Sequence, residues 1–562
     1  MTHSSTGTCF ATLTDVEENR LHGMLNSPDG DFPVRELDGR QVFAGQVGSY
    51  VVIRQQGIHI IAMVRRAWQE ERALRVALGD AGDGSVRRSV NRGLLEMIPL
   101  GELDDQGDFQ RGVVRYPTPG AEIHLVRREE VNALFKKFRD KGYELGFLPS
   151  LPSVDICLDP SPLFGRHLAI LGQSGSGKSW SVASLLQRAV ETMPNAHIIL
   201  LDLHGEYVWT DEHEQRHSAF KEDVYRYVDA RDLEIPYWLL TYGELVDLLI
   251  DRSDKKASTQ VAFLREVLLA LRKKANPEME GVNISIDSPV YFSLAELFHQ
   301  FKRANEQVTD FGKVKGPLYG QFDEFLIKMQ ARFNDVRYDF LFKPKRRRSS
   351  ATLGDLLRDF IGLRKPERQI TVIDFSPVPF DVRPTVSAQV GRLAFEFNYW
   401  NPRSREFPIL LVCEEAHAYI PRGRGGQYEG TRRSMERIAK EGRKYGVGLA
   451  VVSQRPHELS ETVLAQCGSF ICLRVTNPDD QQYIRDLVPD SESGLVDILS
   501  TLGRGEALAL GEAVPIPTRF QFYPPDPAPN SSDIDFYNYW KDGIQDLDVD
   551  AIVDAWRRQK RM

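Results

Sequence analysis

The spacing of apolar positions changes character twice along this chain. From about residue 10 to residue 110, short apolar runs alternate with Gly, Asp and Pro, as in Phe32-Pro33-Val34, Tyr50-Val51-Val52-Ile53 and His59-Ile60-Ile61-Ala62-Met63-Val64. Short strands at this spacing predict a small β-barrel. Val131, Leu134, Phe135 and Phe138 then share one face at helical spacing, which predicts a helix over 128–141. From Arg166 onward apolar runs alternate with helical patterns, the mark of an α/β core with a largely parallel sheet. The runs 167–171, 197–201, 369–375, 408–413, 447–452 and 470–475 are its expected strands. Between about 208 and 345 that rhythm stops, and long amphipathic segments such as 258–274 and 320–333 predict a helical insertion. The prolines of Pro524-Pro525-Asp526-Pro527-Ala528-Pro529 predict an extended linker, followed by a short helix over 552–560. The expected division is 1–160, the barrel with its connecting helix; 161–525, the α/β domain; and 526–562, a C-terminal extension.

Length and composition narrow the class. A chain of 562 residues exceeds one ordinary core, so several domains are expected. No apolar run reaches the roughly 18 residues that a membrane span needs, and the first residues lack the basic-then-apolar pattern of a secretory leader. Five cysteines, Cys9, Cys157, Cys413, Cys467 and Cys472, are scattered and none forms a C-x-x-C pair. That pattern disfavours a disulfide framework or structural zinc and fits a reducing cytoplasm. A net charge of −8 excludes a wholly basic coat but not a few basic loops lining a pore.

The densest chemical signal is Gly172-Gln173-Ser174-Gly175-Ser176-Gly177-Lys178-Ser179, a complete G-x-x-x-x-G-K-[ST] phosphate-binding loop. An apolar strand precedes it and a helical pattern beginning at Trp180 follows, so the helix start can aim unpaired N–H groups at phosphate oxygens. Gly172, Gly175 and Gly177 permit the curl around an anion. Lys178 is expected on the β- and γ-phosphates and the Ser179 hydroxyl on Mg²⁺. Ser174, Ser176 and Trp180 complete the expected surroundings of a bound nucleoside triphosphate.

A second constellation follows the strand 408–413, which runs into Glu414-Glu415-Ala416-His417. The first acid suits the Mg²⁺ ion and the second the water that attacks the γ-phosphate. The strand 197–201 ends in Asp202, at the sheet edge where ligands of open α/β sheets collect. Asp202 either orients metal or water or caps the next turn. Gln454, after the strand 447–452, is expected to sense the γ-phosphate. Arg443 follows Gly442 at a helix end, placed to reach into a neighbouring subunit as an arginine finger, with Arg437 as the fallback. The basic run Lys343-Pro344-Lys345-Arg346-Arg347-Arg348 reads equally as a DNA phosphate contact or a solvated loop.

Taken in order, Arg166 to Gly172, the phosphate loop, Gly205-Glu206-Tyr207, Glu414 to Pro421, Ile438 to Gly446, Ser453 to Pro456 and Thr476 to Gln481 resemble the HerA helicases, relatives of the FtsK DNA pumps. The region around 47–51 resembles that family's barrel, also found in rotary ATP synthase subunits. The resemblance covers about 10–525. It implies a RecA-like P-loop ATPase core forming a homohexameric ring around duplex DNA, with ATP and Mg²⁺ at subunit interfaces. It also implies that Arg443 acts in trans and that Arg166 contacts phosphate in cis. A separately encoded effector is expected, a NurA-type or other nuclease or a sirtuin-like NADase, and the insertion and tail look more like bacterial defence-associated members. The competing reading is an ATP-regulated scaffold that controls its effector with little unwinding.

Overall fold

A computed structural model describes residues 8–557 apart from 18–19, 28, 38–39, 78–84, 105–107, 212, 280, 282, 310–313, 379–381, 424–428, 490–492, 532–533 and 544–546. Asp533 of the tail and residues 558–560 of the expected final helix lie outside the described residues. The chain forms two compact units. The first comprises Met1–Thr192, Gln454–His457 and Cys467–Pro525; the second comprises Met193–Ser453, Glu458–Gln466 and Asp526–Met562.

In the first unit six antiparallel strands close on themselves in the order Arg20–Leu25, Cys9–Glu17, Glu122–Leu125, Tyr50–Gln55, Ile58–Ala77 and Ser85–Leu103, the last pairing back to the first. Alternate residues such as Val51, Ile53, Ile60, Ala62, Val64, Leu95 and Met97 point inward and are fully buried, so the barrel has a packed interior. The expectation of uniformly short strands needs correcting: two strands of 20 and 19 residues pair from His59 opposite Leu103 to Ala77 opposite Ser85. The polar stretch Gln69-Glu70-Glu71-Arg72 interrupts the apolar pattern of the first of them, so its full length is not legible. The helix Arg128–Arg139 buries Val131, Leu134 and Phe135. Beyond the barrel, Leu168–Leu171 pairs in parallel with Ser469–Cys472. Antiparallel strands Glu506–Gly511, Thr518–Phe522, Glu144–Leu148 and Leu151–Cys157 continue that sheet. Pairing of Gly146 with Phe522 is what carries this unit from the barrel's exit to the far end of the chain.

In the second unit five strands run parallel in the order Val447–Ser453, Ile409–Cys413, Ile198–Asp202, Ile370–Asp374 and Tyr225–Asp229. The three central ones are wholly buried and read as unbroken apolar runs, as expected for strands covered on both faces. The insertion expected to be helical contains the helices Tyr242–Leu249, Ala257–Ala275, Leu294–Glu306 and Asp323–Asn334. It also supplies the edge strand Tyr225–Asp229, whose residues are all half-buried. An edge position lets Arg226 stand between apolar neighbours, which hides the strand from a hydrophobicity pattern.

Candidate active site

In the first unit the buried strand Leu168–Leu171 delivers the chain into the glycine-rich loop, and the helix Lys178–Thr192 begins at the lysine itself. A helix start of this kind turns its first N–H groups toward an anion held by the loop. Gly175 and Gly177 have φ of +73° and +96°, values that a side chain resists. The Ser176 hydroxyl is turned inward and donates to the Gln173 carbonyl at 2.7 Å, and the Lys178 ammonium lies 3.4 Å from the same oxygen. Chain segments far away in sequence clamp the loop. The Gln173 N–H donates to the Arg474 carbonyl at 2.9 Å, and the Gln173 side-chain oxygen accepts from Thr476 Oγ1 at 2.6 Å. The Gly505 N–H donates to the Ser176 carbonyl at 3.0 Å. A Cβ on Gly172 would come within 2.9 Å of the Leu473 Cβ.

Arg504 escaped the sequence reading. Its guanidinium stands 5.7 Å from the centre of the Trp180 ring, and the buried Trp180 indole nitrogen has no hydrogen-bond partner. The only local sign was the flexible triplet Gly503-Arg504-Gly505. Arg166, expected on phosphate in cis, lies just before the strand that leads into the loop. Its guanidinium pairs with Glu512, and its carbonyl accepts from Gly468 N–H at 2.7 Å, at the end of the strand away from the loop.

In the second unit the parallel register lines up acids at the carboxyl ends of four neighbouring strands. Asp229 pairs with Asp374 and Asp374 with Asp202, while Glu414 follows Cys413, the partner of Leu201. Asp202 is fully buried, and its carboxylate accepts N–H bonds from Gly205 at 2.8 Å, Glu206 at 3.0 Å and Tyr207 at 2.9 Å. This is the turn-capping arrangement. Burial pushes its carboxyl up to about 7 in spite of those bonds. Glu414 is buried too. One oxygen accepts from the Tyr207 hydroxyl at 3.1 Å and the other has no hydrogen-bond partner. Burial first, then the nearby Asp202, Glu206 and Glu415 carboxylates, hold Glu414 well above the usual carboxylate range. Nothing in the Gly205-Glu206-Tyr207 motif by itself gives Tyr207 a role; the fold makes it the donor that orients Glu414.

Glu415 sits at φ +46°, ψ +45°, a left-handed turn uncommon for this residue type, and faces His417 Nδ1 at 3.2 Å. The same nitrogen lies 3.3 Å from Ser453 Oγ, at the end of the next strand. A buried carboxylate with one unpartnered oxygen, ringed by further acids, is short of positive charge, and a divalent cation supplies that charge. The residues present therefore fit Mg²⁺.

Of the two arginines considered for a trans role, Arg437 is occupied within the chain. It pairs with Glu396 at 3.1 Å and Glu441 at 3.5 Å and lies 4.5 Å from the centre of the Phe395 ring. Arg443, in the turn Gly442–Tyr445, is exposed and makes no ion pair among the described residues. Gln454 is half-buried directly after Val447–Ser453. Among the described residues, no helix is long and apolar enough to cross a membrane.

A phosphate loop at a helix N-terminus and a buried strand ending in paired acids are the parts of a P-loop ATPase, and that is the class of this chain. Residues 143–392 match the family described as helicase HerA, central domain. The chain is 29% identical over 449 residues to the DNA double-strand break repair helicase HerA of Sulfolobus acidocaldarius, covering 78% of this chain and 80% of that protein. It is 28% identical over 455 residues to the protein of the same name from Pyrococcus furiosus, covering 75% and 76%. A probable helicase of Methanocaldococcus jannaschii is 24% identical over 529 residues, 91% of this chain and 93% of that one. Among solved structures, VirB4 of Thermoanaerobacter pseudethanolicus superposes with a TM-score of 0.45 at 18% identity, over 68% of this chain and 96% of that one. The chain is a P-loop ATPase whose central region is similar to that of the HerA helicases.

Proposed function

We propose that the chain couples ATP hydrolysis to movement along DNA, as a translocase or helicase working in a homohexameric ring. The observation that carries this reading is the complete, tightly clamped phosphate loop in a chain similar over three quarters of its length to proteins named as DNA repair helicases. Lys178 and the N–H groups of the loop hold the β- and γ-phosphates. Ser179 and Glu414 are the residues that would hold Mg²⁺, which when bound neutralises phosphate charge. Glu415 orients the attacking water, with His417 fixing its carboxylate. General-base help of this kind is worth about 10²–10⁴ in rate. Arg443, exposed and without an ion pair among the described residues, reaches the nucleotide of an adjoining subunit. Gln454 reports the state of the γ-phosphate. The effector, a nuclease or NADase encoded separately, takes up the work of the motor.

Steady-state ATP turnover with and without duplex DNA tests the reading. Duplex DNA is expected to raise turnover, and Lys178→Ala to remove it. Turnover indifferent to DNA but altered by a co-purified partner would replace the motor with an ATP-regulated scaffold.

A further inference from the structure

The basic run 343–348 has no place in the ATPase reading; its side chains other than Arg347 are largely exposed, but its backbone is anchored. The Glu234 carboxylate, on a residue with φ +46°, accepts backbone N–H bonds from Lys345 at 3.1 Å, Arg346 at 2.7 Å and Arg347 at 3.3 Å. The Arg347 carbonyl accepts from the indole of the fully buried Trp238 at 3.0 Å. These bonds pin the run against the edge strand Tyr225–Asp229 and close one wall of a cavity of about 340 Å³. That volume is at the lower end of the roughly 300–1,000 Å³ found for small-ligand sites.

Five arginines line the cavity: Arg216, Arg226, Arg346, Arg347 and Arg364. Three of them share a single carboxylate, with Asp359 meeting Arg347 and Arg364 at 2.8 Å each and Arg226 at 3.5 Å. Asp229 also lines the cavity but is held by Arg231 at 2.7 Å, outside the lining set. Only Asp359 and Asp232 remain against the five guanidinium groups, an excess of three positive charges in a chain whose net charge is −8. Burial lowers the Arg226 guanidinium below its ordinary range, and the neighbouring Arg364 and Arg368 charges push the same way. The Arg216 guanidinium stands over the Tyr227 ring, 4.2 Å from its centre.

We propose that this cavity binds a phosphate-bearing ligand, which Arg346, Arg364 and Arg216 grip through N–H···O bonds, while Arg226, bonded to the Arg364 and Pro366 carbonyls, adds its charge. Guanidinium forks match phosphate oxygens two at a time, and an anion supplies the negative charge that Asp232 and Asp359 leave short. None of the residues of the phosphate loop lines this pocket.

The probe is tripolyphosphate, titrated calorimetrically into the full-length Lys178→Ala chain and into the wild-type chain. One equivalent is expected to bind to Lys178→Ala, and one more than that to the wild type. The doubly substituted Arg346→Ala, Arg364→Ala protein should bind at least tenfold more weakly with its melting temperature retained, because both side chains are exposed. Arg346→Lys with Arg364→Lys, which keeps the charge, should recover part of the affinity. A short DNA duplex that displaces tripolyphosphate, and whose own binding weakens in the same variants, assigns the phosphates to a nucleic-acid backbone; failure to displace assigns them to a free ligand. Absence of tripolyphosphate binding in Lys178→Ala, or an affinity unmoved by the double alanine substitution, overturns the proposal.

Discussion

Replacing Gly177 by alanine separates the geometry of the phosphate loop from the stability of the unit that carries it. Gly177 has φ +96°, and a Cβ placed there would stand 3.1 Å from the Gly505 nitrogen and 3.4 Å from its Cα. Two costs follow. Holding an L-residue at positive φ costs about 1–2 kcal/mol. Relieving the contact shifts the Gly505 amide, whose 3.0 Å bond to the Ser176 carbonyl braces the loop, and loss of such a bond costs about 1 kcal/mol. Against a total of about 2–3 kcal/mol the loop relaxes out of its anion-binding curl, so ATP affinity should fall about 30- to 150-fold. Gly120 is the matched control. Its φ is +98°, no atom lies within 4 Å of the added Cβ, and it sits in a turn of the barrel. Gly120→Ala carries the backbone cost without touching the loop. Binding of a fluorescent ATP analogue, measured with the melting temperature of each variant, reads both effects. If Gly177→Ala binds within twofold of wild type, or Gly120→Ala loses as much affinity, the loop geometry does not control binding and the reasoning fails.

Glu415→Gln should keep nucleotide affinity and lower turnover by about 10²-fold or more, checked by single-turnover hydrolysis; near-normal turnover would take Glu415 out of the chemistry. Arg443→Ala should abolish turnover while leaving ATP binding intact, and mixing it with Lys178→Ala protein should restore activity if the two residues serve one nucleotide from different subunits. Arg437→Ala should instead lower the melting temperature, since it removes two ion pairs and an aromatic contact within the chain. Stability should fall as pH rises from about 4 to about 7 in proportion to the Asp202 carboxyl: with its folded value raised to about 7, the folded chain keeps a proton there that the unfolded chain has already released. In metal-free buffer the melting temperature of wild type minus that of Asp202→Asn should therefore decrease across that window, and a flat or rising difference would contradict the assignment.

Residues adjacent in the chain were enough to read the phosphate loop, because its strand, glycines, lysine and helix start are consecutive, and the same holds for the apolar run ending in Glu414 and Glu415. The barrel was legible wherever a strand had one buried face, and the length of its long hairpin was not, because the polar stretch Gln69 to Arg72 breaks the apolar period. Other properties depend on hydrogen bonds between segments remote in sequence. Asp202 and Asp374 stand side by side only through the register of strands about 170 residues apart, and burial of Asp202 in that sheet, more than the neighbouring Asp374 charge, is what raises its carboxyl. The clamp of Gly505 on Ser176, the pairing of Arg166 with Glu512 and the anchoring of the basic run by Glu234 are of the same kind. Local sequence encodes which groups exist and which turns they favour; burial and non-local pairing determine their charge, their partners and the direction each faces.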